Sequence, residues 1–375
     1  MSEIVPLTDV GAVTREVEAA VSDAWRDLLA TGAFIGGQAV EDFEQAWAGY
    51  CGTSHAVGVA NGTDAIRLTL TALGIGAGDE VVVPANTFVA SVEAVVLAGA
   101  EPRFADVDPA TLLLTPATLR AALTGRTSAV LVVHLYGQMA DMDALGQVAA
   151  QAGLAVIEDA AQAHGATWRV RPAGSLGRAG CFSFYPAKNL GAFGDAGAVV
   201  TSDGELAQRI RCLGDHGRAP GGHHRHEMIG TNSRLDAVQA AVLTAKLAKL
   251  DAWTHARRAL TARYRAAFAG SPVHLVDELP PSRGAYHLAV ARVPGRDTLR
   301  QQLASLGVQT GIHYPLPCHQ LLPYRRYADG PLPAAEQAAA EILSLPVFPQ
   351  MTGAQLDRVC QAVYQACGAS RMRVA

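Results

Sequence analysis

The 375-residue sequence lacks the features of several specialised protein classes. The formal net charge is −4, so there is no basic excess that would predict binding to nucleic acid or to an acidic membrane surface. It has no uncharged apolar run of the roughly 18 residues that a membrane-spanning helix needs, and its first ten residues do not resemble a signal peptide. We therefore expect a soluble cytoplasmic protein whose partners are small molecules or a second copy of the chain.

Cysteine is scarce and widely spaced, which bears on both disulfides and metals. The six cysteines include no Cys-x-x-Cys pair, so reduced and mostly buried thiols are favoured over a disulfide framework or a zinc site. Residues 221–226 are rich in histidine and could suggest a metal site. Adjacent histidines in a glycine-rich stretch are more typical of an exposed loop, so no metal is expected.

Lysine is rarer still, because Lys188, Lys246 and Lys249 are the only lysines although lysine and arginine together number 30. Lys246 and Lys249 lie three residues apart in a predicted amphipathic helix, where a solvated surface charge is the ordinary expectation. Lys188 alone follows an apolar strand in a glycine-rich turn. An ordinary surface position is common for a loop lysine, but Asp159 upstream and Ser183 nearby favour a catalytic amine here.

Two apolar segments each lead to a residue with a reactive side chain, a carboxylate in one case and an amine in the other. Residues 154–157 predict a buried parallel strand that leads to Asp159, and residues 181–185 predict a strand followed by Lys188. In a pyridoxal phosphate (PLP) enzyme a lysine forms a Schiff base with the cofactor, and a carboxylate keeps the pyridine nitrogen protonated. We therefore predict PLP held covalently by Lys188, with Asp159 as its acidic partner.

A third strand end predicts a phosphate site. The strand at residues 55–60 runs into Asn61-Gly62-Thr63-Asp64, which opens a helix, and unpaired amides at a helix start stabilise an anion. The same residues are also common in turns and helix caps without any ligand. Phe88 follows another strand, and the residues alone leave open whether it stacks on a flat ring or packs in the core.

Apolar strands alternate with helical patterns, which predicts a parallel sheet covered by helices. The length favours two domains, because domains usually hold ~100 to 200 residues. We expect a large PLP-binding domain with an N-terminal arm at residues 1–248 and a small C-terminal domain at residues 249–375. The main predicted helices cover residues 14–30, 41–50, 236–268, 297–306 and 352–367.

Five motifs together resemble the DegT/StrS-type nucleotide-sugar aminotransferases, a family of the fold-type I PLP superfamily headed by aspartate aminotransferase. The resemblance covers about residues 34–351. It implies an α/β fold in which a mostly parallel seven-stranded sheet is sandwiched by helices, beside a smaller C-terminal α/β domain. The motifs are VANGTDA at 59–65, PANTF at 84–88, HLYG at 134–137, EDAAQAHG at 158–165 and FSFYPAKNLG at 182–191.

The resemblance also implies roles for individual residues. Lys188 would carry the Schiff base, and Asp159 would pair with the pyridine nitrogen. Gln162 would lie near the ring hydroxyl, and Phe88 would stack on the ring. A homodimer with shared active sites is implied, because the phosphate would be held by residues of both subunits: Gly62, Thr63, Asp64 and Ser183 of one chain and Asn232 of the other.

The implied reaction moves an amino group from L-glutamate to a nucleotide-diphosphate-linked keto-6-deoxyhexose in the biosynthesis of amino sugars, including those of antibiotics. Residues 134–142 resemble most the branch of the family that acts on 3-keto sugars, which implies a 3-keto rather than a 4-keto acceptor. Phe348, where many members have histidine, is expected to bear on the substrate. Candidate substrate contacts, which could equally be ordinary polar residues of a loop edge, are Tyr185, His313, Tyr314 and His319.

Two alternatives stay open from the sequence. The amine acceptor could be a keto-cyclitol, or the chain could be a PLP-binding regulator without turnover. A relative lineage that performs dehydration has histidine in place of the lysine, and Lys188 argues against that chemistry.

Overall fold

The computed structural model describes residues 4–219, 221–222 and 224–367. Its strands, in chain order, are β1 (His55–Val59), β2 (Glu80–Pro84), β3 (Glu101–Ala105), β4 (Thr127–Val133), β5 (Ala155–Asp159), β6 (Thr167–Trp168), β7 (Arg171–Pro172), β8 (Ala179–Ser183), β9 (Gly197–Thr201), β10 (His274–Leu275), β11 (Ser282–Arg283), β12 (Ala289–Arg292) and β13 (Ile342–Leu345).

The α-helices are α1 (Val10–Arg15), α2 (Glu18–Thr31), α3 (Gln38–Cys51), α4 (Gly62–Ala72), α5 (Val89–Leu97), α6 (Pro116–Ala122), α7 (Met142–Ala152), α8 (Gly204–Gly214), α9 (Ala237–Leu247), α10 (Leu250–Ala267), α11 (Arg296–Ser305), α12 (Pro333–Glu341) and α13 (Gly353–Ala366). Short 3₁₀ helices cover Leu135–Gly137, Cys318–Gln320 and Arg325–Tyr327.

A seven-stranded sheet with the order β1-β9-β8-β5-β4-β2-β3 forms the centre of the molecule. Neighbouring strands from β8 to β3 are parallel, and only β9 runs antiparallel to its neighbours β8 and β1. Every residue of β2 and β9 is buried, although successive side chains point to opposite faces, so both faces of the sheet are covered. The predicted mostly parallel, helix-covered sheet is confirmed.

The C-terminal part of the chain has its own small antiparallel sheet, with the order β10-β12-β13. A second hydrophobic cluster packs there against α10, α11 and α13, and Val5 from the N-terminal segment joins it. The larger cluster surrounds the central sheet but also includes Leu250 and Val276. The expected domain boundary between residues 248 and 249 falls between α9 and α10, and it stays a prediction.

Several elements differ from the sequence prediction. The helix expected at residues 14–30 is interrupted between α1 and α2, and the one expected at residues 236–268 breaks between α9 and α10. β3 was not predicted because Pro102 and Arg103 interrupt its apolar pattern. β9 was not predicted because it directly follows a glycine-rich segment, which is more typical of a turn. The strand β8 covers residues 179–183, two residues earlier than the predicted strand at residues 181–185.

The expectation that Lys246 is a solvated surface residue is wrong. Its side chain is fully buried, whereas Lys249 is exposed. The reason lies in the break after Leu247, since α9 ends there and the two lysines therefore do not share one helical face. The Lys246 ammonium Nζ donates a hydrogen bond to the carbonyl oxygen of Gly191 at 2.6 Å.

Two further findings concern membranes and metals. None of the helices in the described part of the chain combines the length and hydropathy needed to cross a membrane. Within the same residues, no group of three or more His, Cys, Asp or Glu side chains is arranged to hold a metal ion. His224 and His226 of the histidine-rich stretch are exposed, as expected, and His223 lies outside the described residues.

A buried carboxylate fixes the end of β5 beside the site described below. Glu158 Oε2 lies 2.8 Å from His134 Nε2 and accepts a 2.8 Å hydrogen bond from the Gly174 amide. Its Oε1 accepts hydrogen bonds of 2.6 Å each from the amides of Leu176 and Gly177. Burial alone would raise the pKa of Glu158, but His134 and these amides hold it below the ordinary value.

We expect Glu158→Gln to lower the free energy of unfolding by about 3 to 5 kcal/mol at pH 7, because an amide cannot accept hydrogen bonds on both sides. Since the pKa is lowered in the folded state, this carboxylate stabilises the fold above the unfolded pKa of about 4.3, and the contribution is lost as the pH falls through the folded pKa. Urea unfolding at pH 7 and at lower pH measures both effects. The exposed Glu93→Gln serves as the control, and equal stability of the two variants would contradict the prediction.

Candidate active site

One cavity of about 480 Å³ lies at the carboxyl ends of the central strands, beside the start of α4. In open parallel sheets this edge is where ligands bind, because the strand ends and the helix starts face it. The cavity brings together most of the residues that the sequence singled out: Gly62, Thr63, Phe88, Asp159, Gln162, Ser183, Tyr185, Lys188, His313 and Tyr314.

Asp159, the last residue of β5, is a buried carboxylate fixed by a chain of hydroxyls. Its Oδ2 accepts a hydrogen bond of 2.6 Å from Ser91 Oγ, and Ser91 Oγ lies 2.7 Å from Thr87 Oγ1. Because the single hydroxyl hydrogen of Ser91 goes to Asp159, Thr87 is the donor to Ser91. Within the described residues Asp159 has no salt bridge to a cationic side chain, so its charge is available to a cationic group in the cavity.

Lys188 follows β8 in a tight turn, where its backbone amide donates to the carbonyl oxygen of Tyr185 at 2.8 Å. Burial lowers the pKa of the Lys188 amine to about 8, although the negative charge of Asp159 opposes this shift. A lysine with a lowered pKa is partly uncharged near neutral pH. It can therefore act as a nucleophile toward an aldehyde.

The start of α4 forms an anion site with Ser183. Asn61 caps the helix, since its Oδ1 accepts from the Asp64 amide at 2.8 Å. Gly62 and Thr63 line the cavity, and as the first residues of α4 their amides have no intrahelical acceptor. A Cβ on Gly62 would lie 2.6 Å from Ser183 Cβ, so only glycine allows the helix start to approach β8 this closely.

Aromatic rings and an amide line the opposite side of the cavity. The ring of Phe88 is about half exposed, and its centroid lies 5.2 Å from that of Tyr314. The Gln162 amide donates to the Tyr314 hydroxyl at 3.1 Å, and its oxygen accepts from the Tyr136 amide at 2.6 Å. These contacts hold flat surfaces and a polar side chain around a space suited to a planar ring.

Two histidines of the cavity stay neutral. Burial, followed by the nearby charge of Lys188, lowers the pKa of His313 to about 4 and that of His287 well below its ordinary value. His313 Nδ1 lies 2.8 Å from Ser344 Oγ, while His287 Nδ1 has no partner among the described groups. Neutral imidazoles offer hydrogen bonds without adding charge beside the amine.

Three predicted site residues do not line the cavity. The Asp64 carboxylate turns to Arg67 at 2.7 Å, so only its backbone takes part in the helix start. His319 is buried and contacts Glu336 at 3.0 Å. Asn232 forms a backbone bridge to Asp215 and does not line the cavity of its own chain.

Phe348 also lies away from the cavity, in the second hydrophobic cluster. Its ring is buried and does not line the cavity, and the expectation that it bears on the substrate stays a prediction.

The sequence reasoning missed several residues of the cavity. Ser91 lies three residues after Phe88, one helical turn into α5, and this spacing could have indicated it. Asp195 was part of a glycine-rich segment without an assigned role. His287 precedes β12 and is distant in sequence from every motif, so no local signal identified it.

The residues present fit PLP. Unpaired amides and a hydroxyl suit a dianionic phosphate, a buried carboxylate without a cationic partner suits a protonated ring nitrogen, and a desolvated amine suits the aldehyde. Each group comes from a different element of the same sheet edge. The geometry is that of a PLP enzyme with the aminotransferase fold.

Family comparison agrees with this class. The model of the DegT/DnrJ/EryC1/StrS aminotransferase family matches residues 16–364, and the chain belongs to this family. The dTDP-3-amino-3,4,6-trideoxy-alpha-D-glucose transaminase of Streptomyces venezuelae is 46% identical over 362 residues, which cover 96% of this chain and 95% of that protein.

Solved structures agree as well. S. venezuelae DesV in complex with a ketimine intermediate has a TM-score of 0.95 at 44% identity, covering 99% of this chain and 100% of that chain. Bacillus subtilis ntda with bound cofactor PMP has a TM-score of 0.91 at 30% identity, covering 98% of this chain and 86% of that chain. The predicted family, fold class, aminotransferase activity and PLP cofactor are thereby confirmed.

We expect Gly62→Ala to lower the free energy of unfolding by roughly 1 to 3 kcal/mol, because the added Cβ forces α4 away from Ser183. Gly49→Ala is the matched control, since Gly49 is helical and exposed with nothing within 4 Å of an added Cβ. The control should gain about 0.5 to 1 kcal/mol. Urea unfolding of both variants measures the difference, and a neutral Gly62→Ala would show that the close approach is not required.

Proposed function

We propose that the chain transfers an amino group from L-glutamate to a nucleotide-diphosphate-linked 3-keto-6-deoxyhexose, with Lys188 as the residue that binds PLP covalently. The observation that supports this most directly is the desolvated Lys188 amine in one cavity with Asp159 and the start of α4. When bound, PLP supplies an electron sink that makes the α-hydrogen of an amino acid acidic.

The chain's own residues would hold the cofactor from three sides. The amides of Gly62 and Thr63, with the Ser183 hydroxyl, would bind the phosphate. Asp159 would keep a proton on the ring nitrogen, and its carboxylate cannot rotate freely because Ser91 donates to Oδ2. Phe88 and Gln162 would cover the ring and bind its hydroxyl.

Lys188 would then move the proton in both halves of the reaction. With the cofactor bound, the free Lys188 Nζ would accept the proton from the donor's α carbon and would later give it back. The lowered pKa keeps part of the amine uncharged near neutral pH, as a general base requires. In the second half, the same Nζ would deliver a proton to the sugar carbon that receives the amino group.

Amination at C3 is supported by the similarity to the Streptomyces venezuelae transaminase, whose name specifies a 3-amino product on a dTDP-sugar. Tyr185, His313 and Tyr314 line the cavity and are the proposed sugar contacts. His319 is a weaker candidate, because its buried ring is engaged by Glu336. The wider role would be amino-sugar biosynthesis, including that of antibiotics.

A homodimer with shared active sites is part of the proposal, with Asn232 of one subunit reaching the phosphate bound by the other. This would account for the place of Asn232 outside the cavity of its own chain. A cytoplasmic location is proposed as well, and it is supported by the six cysteines, none of which forms a disulfide.

We expect the purified protein with PLP to show a visible absorbance that L-glutamate bleaches, and borohydride should fix the cofactor on Lys188 as a stable link that peptide mass locates. Lys188→Ala should lose the reducible link and all turnover, whereas the exposed Lys249→Ala should keep both. Product analysis with a 3-keto sugar nucleotide and a keto-cyclitol identifies the acceptor. A reducible link in Lys188→Ala would refute the assignment of Lys188.

Shared sites predict complementation between two inactive variants. Lys188→Ala and Asn232→Ala chains, mixed and reassembled, should regain about a quarter of the wild-type activity, because half of the dimers would be mixed and each would have one intact site. Steady-state turnover after refolding the mixture measures this. Activity no higher than the sum of the two variants alone would exclude a phosphate contact made across subunits.

A further inference from the structure

Lys246 is the only one of the three lysines whose side chain is fully buried, and the proposed reaction does not use it. Its side chain is fully buried, and within the described residues it forms no salt bridge with a carboxylate. Burial lowers the pKa of its amine to about 8. Burying an amine without a counter-ion costs free energy that an apolar residue at the same place would avoid, so the contacts that it makes need an explanation.

Those contacts lie in the segment that follows Lys188. Lys246 Nζ donates to the Gly191 carbonyl oxygen at 2.6 Å and lies 4.6 Å from the centroid of the Phe193 ring. The Phe193 ring also meets Trp25 in an edge-on arrangement, with the ring centroids 6.0 Å apart. The ammonium group therefore satisfies a backbone carbonyl three residues from Lys188 and also packs on an aromatic ring.

The turn between β8 and this segment is closed on itself. The amide of Ala192 donates to the Phe184 carbonyl at 2.7 Å, and the Lys188 amide donates to the Tyr185 carbonyl at 2.8 Å. A Cβ on Gly191 would collide with the Pro186 carbonyl, so the two arms of the turn touch. Displacement of the Gly191 carbonyl would therefore displace the backbone of Lys188 as well.

A second side chain of α9 holds the same segment. Gln239 Oε1 accepts a hydrogen bond of 2.8 Å from the Phe193 amide. Gln239 and Lys246 are seven residues apart, which is two helical turns, so both lie on one face of α9. One helix face thus makes two polar contacts with the segment that follows the catalytic amine.

We propose that Lys246 is a positioning residue for Lys188: from α9 it holds the Gly191 carbonyl and thereby keeps the turn closed, so that the Lys188 amine stays desolvated and directed into the cavity. This inference rests on the proposed function, in which Lys188 binds PLP. Lysine suits the place because a single ammonium reaches a single carbonyl, whereas the wider fork of arginine needs more acceptors.

The test compares Lys246→Met with the matched surface control Lys249→Met. In the apoprotein, PLP is added across a range of pH and the link to Lys188 is trapped with borohydride and located by peptide mass. Lys246→Met should move the midpoint of trapping upward by about 0.5 to 1 pH unit, because a loosened turn rehydrates Lys188 and its pKa returns toward the ordinary 10.4. Hydrogen exchange of the amides at 189–194 should become roughly tenfold faster.

A purely structural role gives a different result. If Lys246 only fills space in the core, Lys246→Met unfolds at lower urea concentration, but the trapping midpoint and the exchange at 189–194 match those of Lys249→Met, and the inference is overturned.

Should Lys246→Met fail to fold, Gln239→Leu tests the other contact of α9, because it removes the acceptor of the Phe193 amide but leaves the Gly191 carbonyl bonded to Lys246. Gln239→Leu should also move the pH midpoint of PLP trapping upward. An unchanged midpoint in this variant would overturn the inference. Failure of the wild-type protein to trap PLP at Lys188 would instead refute the proposed function, so the two failures are distinguishable.

Discussion

Desolvation of the Lys188 amine beside the Asp159 carboxylate is the constraint on which the rest of the structure depends. Each charge would be more stable in water, and burial lowers the pKa of the amine even though the carboxylate opposes the shift. Such a pair persists only where the surrounding backbone is rigid. The hydroxyls of Ser91 and Thr87 hold the carboxylate, and the closed turn after β8 holds the amine.

The parallel sheet supplies that rigidity. β5 and β8 are adjacent, so their carboxyl ends deliver Asp159 and Lys188 to one edge. Glu158, one residue before Asp159, points into the protein and binds three amides between 174 and 177 together with His134. Two successive carboxylates thus serve opposite purposes, because alternate residues of a strand face opposite sides of the sheet.

The part of the site that follows local rules could be predicted from the sequence. A carboxylate at the end of an apolar strand and a glycine at a helix start indicated Asp159 and Gly62, and the scarcity of lysine together with the turn after β8 indicated Lys188. Ser91 and His287 could not be found in this way. Their place in the cavity depends on how α5 and the segment before β12 pack against the sheet, which no short pattern encodes.

The sequence by itself determined the fold class, the elements that build the sheet edge, and the chemistry of its end residues, because periodicity and turn residues act within a few positions of the chain. Only the tertiary structure decided which polar residues are buried and what they contact. Lys246 shows the difference: its helical spacing predicted a solvated charge, but α9 packs against the segment that follows Lys188 and buries the amine on the Gly191 carbonyl. Burial depends on contacts between residues 55 positions apart, and spacing along one helix carries no information about them.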